Sequence, residues 1–415
     1  MKKILLLDWS FEWRFYILDA LKELNVDVYV VLPELRDQTE YFQKIFIIEN
    51  LYENPKSHFD EINNIVRSND IDAIYTSEDE LIMLSSLIME ENNLLEINSS
   101  LVNICMDKFL LRKNLENKGV EMPLYQELTT IEELEAFLSI NTDYPFILKP
   151  LDGNFSDGTV KINNKNEIIK AWKESAKSLI NSPSQSKKLI IEEFLGEDNS
   201  VISCEVLIQN KQIFLVGLTK ETFSMYKSKD NIEKFKYDFI EVPANISPKI
   251  KKLIYQHVIS IIQVLNLNNM TLHVEYKIKN NIPYLIEVNP RMAGGLIPYL
   301  YKRSLGIDLS LLSIKIALNI PINNKDLKYN KEEFTIIKFI NHSYNGVINH
   351  ISTDYYVPDN ELLRLTMSEG DEYNQGEVFG IGYYIFDFNN DNEKNKKIET
   401  MMNNLKLEIV NKDDK

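Results

Sequence analysis

The sequence is poor in cysteine, in basic residues relative to acidic ones and in long apolar runs, and each shortage removes a class of protein. Two cysteines, Cys105 and Cys204, sit among apolar neighbours. They cannot build a disulfide framework or a structural zinc site, and without a C-x-x-C pair they carry no redox motif. Inert core thiols in a reducing cytoplasm are the expectation. Acidic residues outnumber basic ones by 62 to 46, for a formal net charge of −16. Such a chain repels phosphate backbones and anionic lipid, which disfavours nucleic acid and membrane as partners. No window reaches the roughly 18 uncharged apolar residues of a membrane span, and the run Ile4 to Leu7 is too short for a signal segment. Phosphate-binding signatures are missing too. Asp8-Trp9-Ser10 stands where a G-x-G-x-x-G would follow the first strand, and no G-x-x-x-x-G-K-[ST] occurs. A dinucleotide site and a P-loop are therefore excluded.

What is present is a chain of 415 residues, 44% hydrophobic and 26% charged, enough for two to four folded domains. The first hundred residues alternate strand and helix signals: strands near 3–8, 26–32 and 72–76, helices near 15–24, 59–66 and 80–90. That pace predicts an open parallel α/β sheet. A charged helix over 107–118, stopped by Gly119 and Pro123, marks a boundary. Beyond it come strands at 146–150, 159–162 and 189–194, a hairpin around 209–211, a helix over 250–265, and a strand pair over 270–279 and 282–289. From Glu333 the signals become short strands with glycine at the bends. We divide the chain into a Rossmann-like region (1–103), a linker helix with a small lobe (104–195), a large lobe (196–320) and a β-rich C-terminal module (321–415).

The sharpest local pattern is Leu285-Ile-Glu-Val-Asn-Pro-Arg291. Alternate side chains of a strand share a face, so Glu287, Asn289 and Arg291 form one row, opposite Ile286, Val288 and Pro290. Carboxylate and amide oxygens suit Mg²⁺, and a guanidinium can hold a phosphate or carboxylate. On the partner strand His273 and Glu275 share a face, and a tight turn would bring Glu275 near Glu287. Two carboxylates that close are relieved by a divalent cation. A solvated hairpin face with alternating charges fits the same residues. Lys149, flanked by apolar strand residues in Ile147-Leu-Lys-Pro150, is costly to bury without an anion. The Gly/Asp/Ser loop after it could aim backbone N–H groups at phosphate, or be an ordinary turn. Ile190-Ile-Glu-Glu-Phe-Leu-Gly196 could meet a heterocycle with its strand end or simply leave the core. Asp107-Lys108 with Arg112 reads most simply as a solvated helix face.

Taken in order, these elements resemble the ATP-grasp superfamily, whose carboxylate–amine ligases carry such motifs in this sequence. Gly294-Gly295 after Arg291-Met-Ala is similar to the substrate loop of the L-amino acid (dipeptide) ligase branch, and Ser203-Cys-Glu205 to a Ser-Val-Glu run. The resemblance implies a Rossmann-like leading domain, a two-lobed α+β nucleotide-binding region and a small β-rich module. It implies ATP with Mg²⁺, or Mn²⁺ in its place. Lys108 and Lys149 would contact phosphates, under a loop around Gly153, Ser156 and Gly158 that closes as a lid. Glu192 and the backbone of Glu193, Phe194 and Leu195 would hold adenine, with Asp198 or Glu197 on the ribose. Glu275, Glu287 and Asn289 would ligate metal. Arg291, His273, Gly294 and Gly295 would meet substrate, with Arg291, Lys149 and Glu287 catalytic. The implied reaction is ATP-dependent amide formation between a small-molecule carboxylate, such as an amino acid, and an amine. It runs through an acyl phosphate and releases ADP and phosphate. A purine-pathway-like or bicarbonate-activating ligase, and a non-catalytic nucleotide-binding regulator, are the competing readings. A cytoplasmic homodimer through the helices of the leading domain is expected. Two departures stand out: Phe155 occupies the glycine loop, and Glu241-Val-Pro-Ala-Asn245 replaces a His-rich segment.

Overall fold

The computed structural model describes residues 1–9, 14–36, 39–151, 158–181, 187–196, 199–227, 233–329, 333–377 and 379–410. Its leading region is a four-stranded parallel sheet in the order Lys44–Ile47, Asp27–Leu32, Lys3–Leu7, Ala73–Tyr75. The central strand is apolar because both its faces are covered: Ile4, Leu5, Leu6 and Leu7 are all fully buried. The helices Tyr16–Leu24 and Phe59–Ser68 run between the strands, and Asp79–Glu91 follows the last of them. The first ends at Asn25, whose left-handed backbone (φ 50°) suits an Asn C-cap.

The helix expected over 107–118 is shorter, Lys108–Leu115, and Asp107 is its N-cap, accepting from the backbone N–H groups of Phe109 and Leu110. That acid is thereby accounted for locally. A second sheet follows, with twelve strands among the described residues, all pairing antiparallel. Its path runs Ile282–Asn289, Met270–Lys279, Ser200–Gln209, Gln212–Lys227, Glu233–Val242, Val160–Ile162, Phe146–Pro150, Leu189–Glu193, Tyr125–Leu128. Two-residue turns close two of its hairpins. Asn280-Asn281 (φ 52° and 60°) and Asn210-Lys211 (φ 50° and 66°) take the doubly left-handed form that matches strand twist.

The helix Pro248–Leu265, N-capped by Ser247, packs its apolar stripe of Ile250, Ile254, Val258 and Ile261 on the back of this sheet. The other face holds the polar residues of the site. Strand pairing is continuous into the C-terminal region, since Phe334–Ile340 pairs with Glu233–Val242 and with Gly382–Phe388. A separate sheet of Glu372–Tyr373, Gly346–Thr353 and Leu405–Val410 completes that region with the helix Asp391–Asn404. No helix of the described residues is long and apolar enough to cross a membrane. Cys105 and Cys204 are both free and buried, and burial pushes the Cys105 thiol up to about 12.

Candidate active site

The site is assembled on one face of four neighbouring strands and walled by the helix Lys108–Leu115 and the strands Phe146–Pro150 and Leu189–Glu193. In the outer hairpin Glu275 lies directly opposite Glu287, and His273 opposite Asn289. On the next strand Glu205 faces His273 and Ser203 faces Glu275. One strand further, Glu221 lies opposite Val201 and so on the same face again. Asn289, Glu287, Glu275, His273, Glu205 and Glu221 therefore form a continuous polar surface, although four strands contribute to it.

The alternation expected along Leu285–Arg291 is broken once. The register shifts between Glu275 and Tyr276, so that Tyr276 pairs with Leu285 and Ile286 is the extra residue. At this bulge Ile286 turns into the same cleft as Glu287, instead of away from it. Its backbone carbonyl accepts from Arg112 Nη2 at 3.1 Å.

The small lobe brings cations. Ile147 pairs with Glu192 and Lys149 with Ile190, so Lys149 and Glu192 share a face at 3.1 Å. Arg112 closes on the same carboxylate at 2.7 Å and is fully buried. Lys108, 6% exposed, reaches Glu287 at 2.8 Å and the Leu151 carbonyl at 3.3 Å. A solvated helix face is thus the wrong description of Lys108 and Arg112. Their helix points both cations inward, and of its cations only Lys113 on the far side is open to solvent. Burial favours the neutral forms of all these groups. It lowers Lys149 despite Glu192 beside it. For Glu192 burial is outweighed by Arg112 and Lys149, which hold its carboxyl below the usual range. Glu287 is held well below that range, because Lys108 and Lys149 overcome its burial.

The opposite end behaves in reverse. Burial, then the charge of Glu287, raises Glu275. Burial and the charge of Glu275 push Glu221 up to about 7. His273 sits between carboxylates, Nδ1 at 2.8 Å from Glu205 and Nε2 at 3.2 Å from Glu275. Burial opposes its protonation, but these acids prevail and raise it well above the ordinary imidazole value. Arg291 is clamped by Asp79 at the start of the helix Asp79–Glu91, with Nη2 at 2.7 Å, while Nη1 donates to the Met292 carbonyl at 3.0 Å. The leading domain therefore supplies a wall of the site.

Two adjoining cavities result. The first is lined by Lys108, Lys149, Glu192 to Leu195, Glu275 and Glu287. The second is lined by His273, Asn289, Arg291, Gly294, Gly295 and Glu221, with Glu275 and Glu287 at the junction. The Glu192 side chain lines the first cavity and is held there by two cations. The N–H groups of Glu193 and Phe194 already donate to Leu124 and Pro145 carbonyls, and the Glu193 carboxylate pairs with Lys279. Gly153, Ser156, Glu197 and Asp198 lie outside the described residues. Gly158 has a left-handed backbone (φ 68°) and no room for a Cβ against Ser178 and Pro150, so packing alone demands glycine there.

Sequence reasoning missed Asp79, Arg112 as a buried cation, and Glu221. The strand carrying Glu221 runs far beyond the hairpin turn expected around 209–211, from Gln212 to Lys227. Among the described residues no group of three or more His, Cys, Asp or Glu side chains is arranged to hold a metal. Glu275, Glu287 and the Asn289 amide are hard oxygen donors, and a magnesium ion characteristically takes one or two carboxylates and completes its shell with phosphate oxygens and water. The donor set fits that pattern. The Asn289 amide currently donates to Glu287 at 3.1 Å, so rotation of the amide would turn its oxygen inward.

Comparison with known proteins gives the same picture. Residues 142–298 match the ATP-grasp domain family. The chain is 28% identical over 229 residues to D-alanine–D-alanine ligase A of Bacillus cereus, covering 54% of this chain and 71% of that one. It is 23% identical over 202 residues to dapdiamide A synthase of Enterobacter agglomerans, covering 48% and 45%. Among solved structures it resembles the L-amino acid ligase from Bacillus licheniformis, with a TM-score of 0.80 and 17% identity over 99% of both chains. It also resembles phosphoribosylglycinamide synthetase from Anaerococcus prevotii, with a TM-score of 0.71 and 19% identity over 99% and 100%. Residues 142–298 of the chain thus form an ATP-grasp domain, and the whole chain shares its fold with solved ligases.

Proposed function

We propose that this enzyme joins the carboxylate of an amino acid to an amine, using ATP, through an acyl phosphate, with ADP and phosphate as products. The observation that carries this reading is the placement of Glu275 opposite Glu287, between the cationic cavity of Lys108 and Lys149 and the pocket of Arg291. Bringing a carboxylate to a nucleotide phosphate puts anions together, so the chain must supply positive charge where they meet. Lys108 and Lys149 do so from the small lobe. Glu275, Glu287 and Asn289 would hold Mg²⁺, or Mn²⁺ on the same oxygens, which when bound would neutralise phosphate charge. Arg291, oriented by Asp79, faces the substrate carboxylate and the oxyanion that forms when the amine attacks. The burial of His273 and Glu205 keeps this end dry, which protects a hydrolysable intermediate. The substrates are small molecules, and buried thiols at Cys105 and Cys204 suit a reducing cytoplasm.

The test is a phosphate-release screen over pairwise amino-acid mixtures with mass detection of products. ADP, phosphate and a dipeptide formed only when both substrates are present is the expected result. Release stimulated by bicarbonate or a ribosylamine and not by amino acids would replace this reading with another ligase. AMP and pyrophosphate would overturn the acyl-phosphate route.

A further inference from the structure

The acids around the second cavity meet cations at hydrogen-bond distance, with one exception. Asp79 holds Arg291, Glu287 holds Lys108, and Glu205 and Glu275 take the two nitrogens of His273. Glu221 is 2% exposed, and its Oε1 has no hydrogen-bond partner. Its one ion-pair contact within 4.0 Å among the described residues is His273 Nε2 at 3.9 Å, too long for a hydrogen bond. The Tyr237 hydroxyl bonds to this carboxylate, and what the buried group lacks is a cation at hydrogen-bond distance. The cavity it lines also holds Arg291, and Gly294 and Gly295 leave its wall free of side chains, with Phe379 beyond.

From this geometry we infer that Glu221 binds the α-ammonium group of the amino acid whose carboxylate is activated. The assignment rests on the amide-forming reading above and narrows it to acids bearing a free amino group. Chemistry selects this ammonium over that of the attacking amine. A carboxylate beside an amine favours its protonated form, and an attacking amine must be unprotonated. Glu221 is therefore suited to an ammonium that must stay inert while its own carboxylate reacts. The opposed charges of Glu221 and Arg291 in one cavity match a zwitterion, with ammonium toward the first and carboxylate toward the second.

The experiment takes the amino acid giving the most phosphate release with the wild-type enzyme, and compares it with its des-amino analogue. Wild type should prefer the amino acid by about tenfold or more in kcat/KM, the scale of a charge-assisted hydrogen bond. Glu221→Gln should lose about ten- to hundredfold with the amino acid, leave the analogue nearly unaffected and keep the KM for ATP. Glu221→Asp should recover part of the loss. Equal wild-type turnover of the two acids overturns the assignment without any variant. So does a Glu221→Gln enzyme with unchanged amino-acid kinetics, or one impaired equally with both acids. If no amino acid releases phosphate, the amide-forming reading itself falls, an outcome distinct from the others.

Discussion

The two ends of the cleft use the same residue types to opposite effect. At the small-lobe end, Lys108, Arg112 and Lys149 meet Glu192 and Glu287, and both carboxylates are held below their usual range. At the far end, burial pushes Glu221 and Glu275 upward, with Glu275 adding to the first and Glu287 to the second, and His273 is their shared cation. Burial is severe at both ends, so it cannot explain the difference. The balance of charge does. The first end has cations enough to keep its acids ionised and still attract a phosphate; the second has an excess of acid and calls for positive charge from outside. Glu275 and Glu287 stand at the junction, one on each side of the divide.

Breaking the junction should have the largest effect. Glu287→Gln removes the partner of Lys108 and one of the two carboxylates proposed to hold metal. Several kcal/mol of transition-state stabilisation are at stake, and we expect ADP formation to fall on the order of 10³-fold. The same change removes the charge that helps raise Glu275, whose carboxyl should then titrate closer to its ordinary value in a ¹³C NMR titration. Full activity in this variant would remove the metal assignment.

A second change tests the cation-rich end through stability. Arg112→Met leaves the Glu192 carboxylate buried with Lys149 alone. Breaking a buried pair by removing one partner costs about 3 kcal/mol or more, measured by urea unfolding at pH 7. The pH dependence has a definite sign. Glu192 has a folded-state pKa below its ordinary value of 4.5, so its contribution is complete above that pH and is lost as pH falls through the lower folded value. The gap between wild type and variant should hold from pH 7 to about 4.5 and narrow only in stronger acid. A gap that closes already near neutrality would place the effect elsewhere.

Much of this arrangement was legible from the sequence, and the illegible part has a common cause. The strands Phe146–Pro150, Met270–Lys279 and Ile282–Asn289 were readable to the residue, because apolar alternation and the Asn280-Asn281 turn define them locally. The row Glu275, Glu287 and Asn289 followed from parity. Parity failed at Ile286, where a bulge depends on how two strands settle against each other. Arg112 and Asp79 were unreadable for a similar reason: a charge on a helix looks solvated until the partner across space is known. The long strands Gln212–Lys227 and Glu233–Val242 carry charged residues through partly buried positions, so their hydrophobic signal fades before their hydrogen bonding does. Glu221 was hidden inside that faded stretch.

The smallest expected effect concerns Glu221 in the protein without ligands. Its carboxyl is raised from 4.5 to about 7, burial being the main cause and Glu275 the next. A raised folded-state value means that the folded protein binds the extra proton between those two pH values, so stability is greatest below 4.5 and declines as pH rises through about 7. Glu221→Gln cannot ionise and should lack that decline. It should therefore be more stable than wild type at pH 8, by about 1 kcal/mol once the cavity's access to water is allowed for, and no more stable at pH 4. Thermal unfolding at the two pH values measures this directly. At the cation-rich end, losing a charge by mutation weakens the fold; here it should strengthen it, and a variant less stable than wild type at pH 8 would erase the contrast between the two ends.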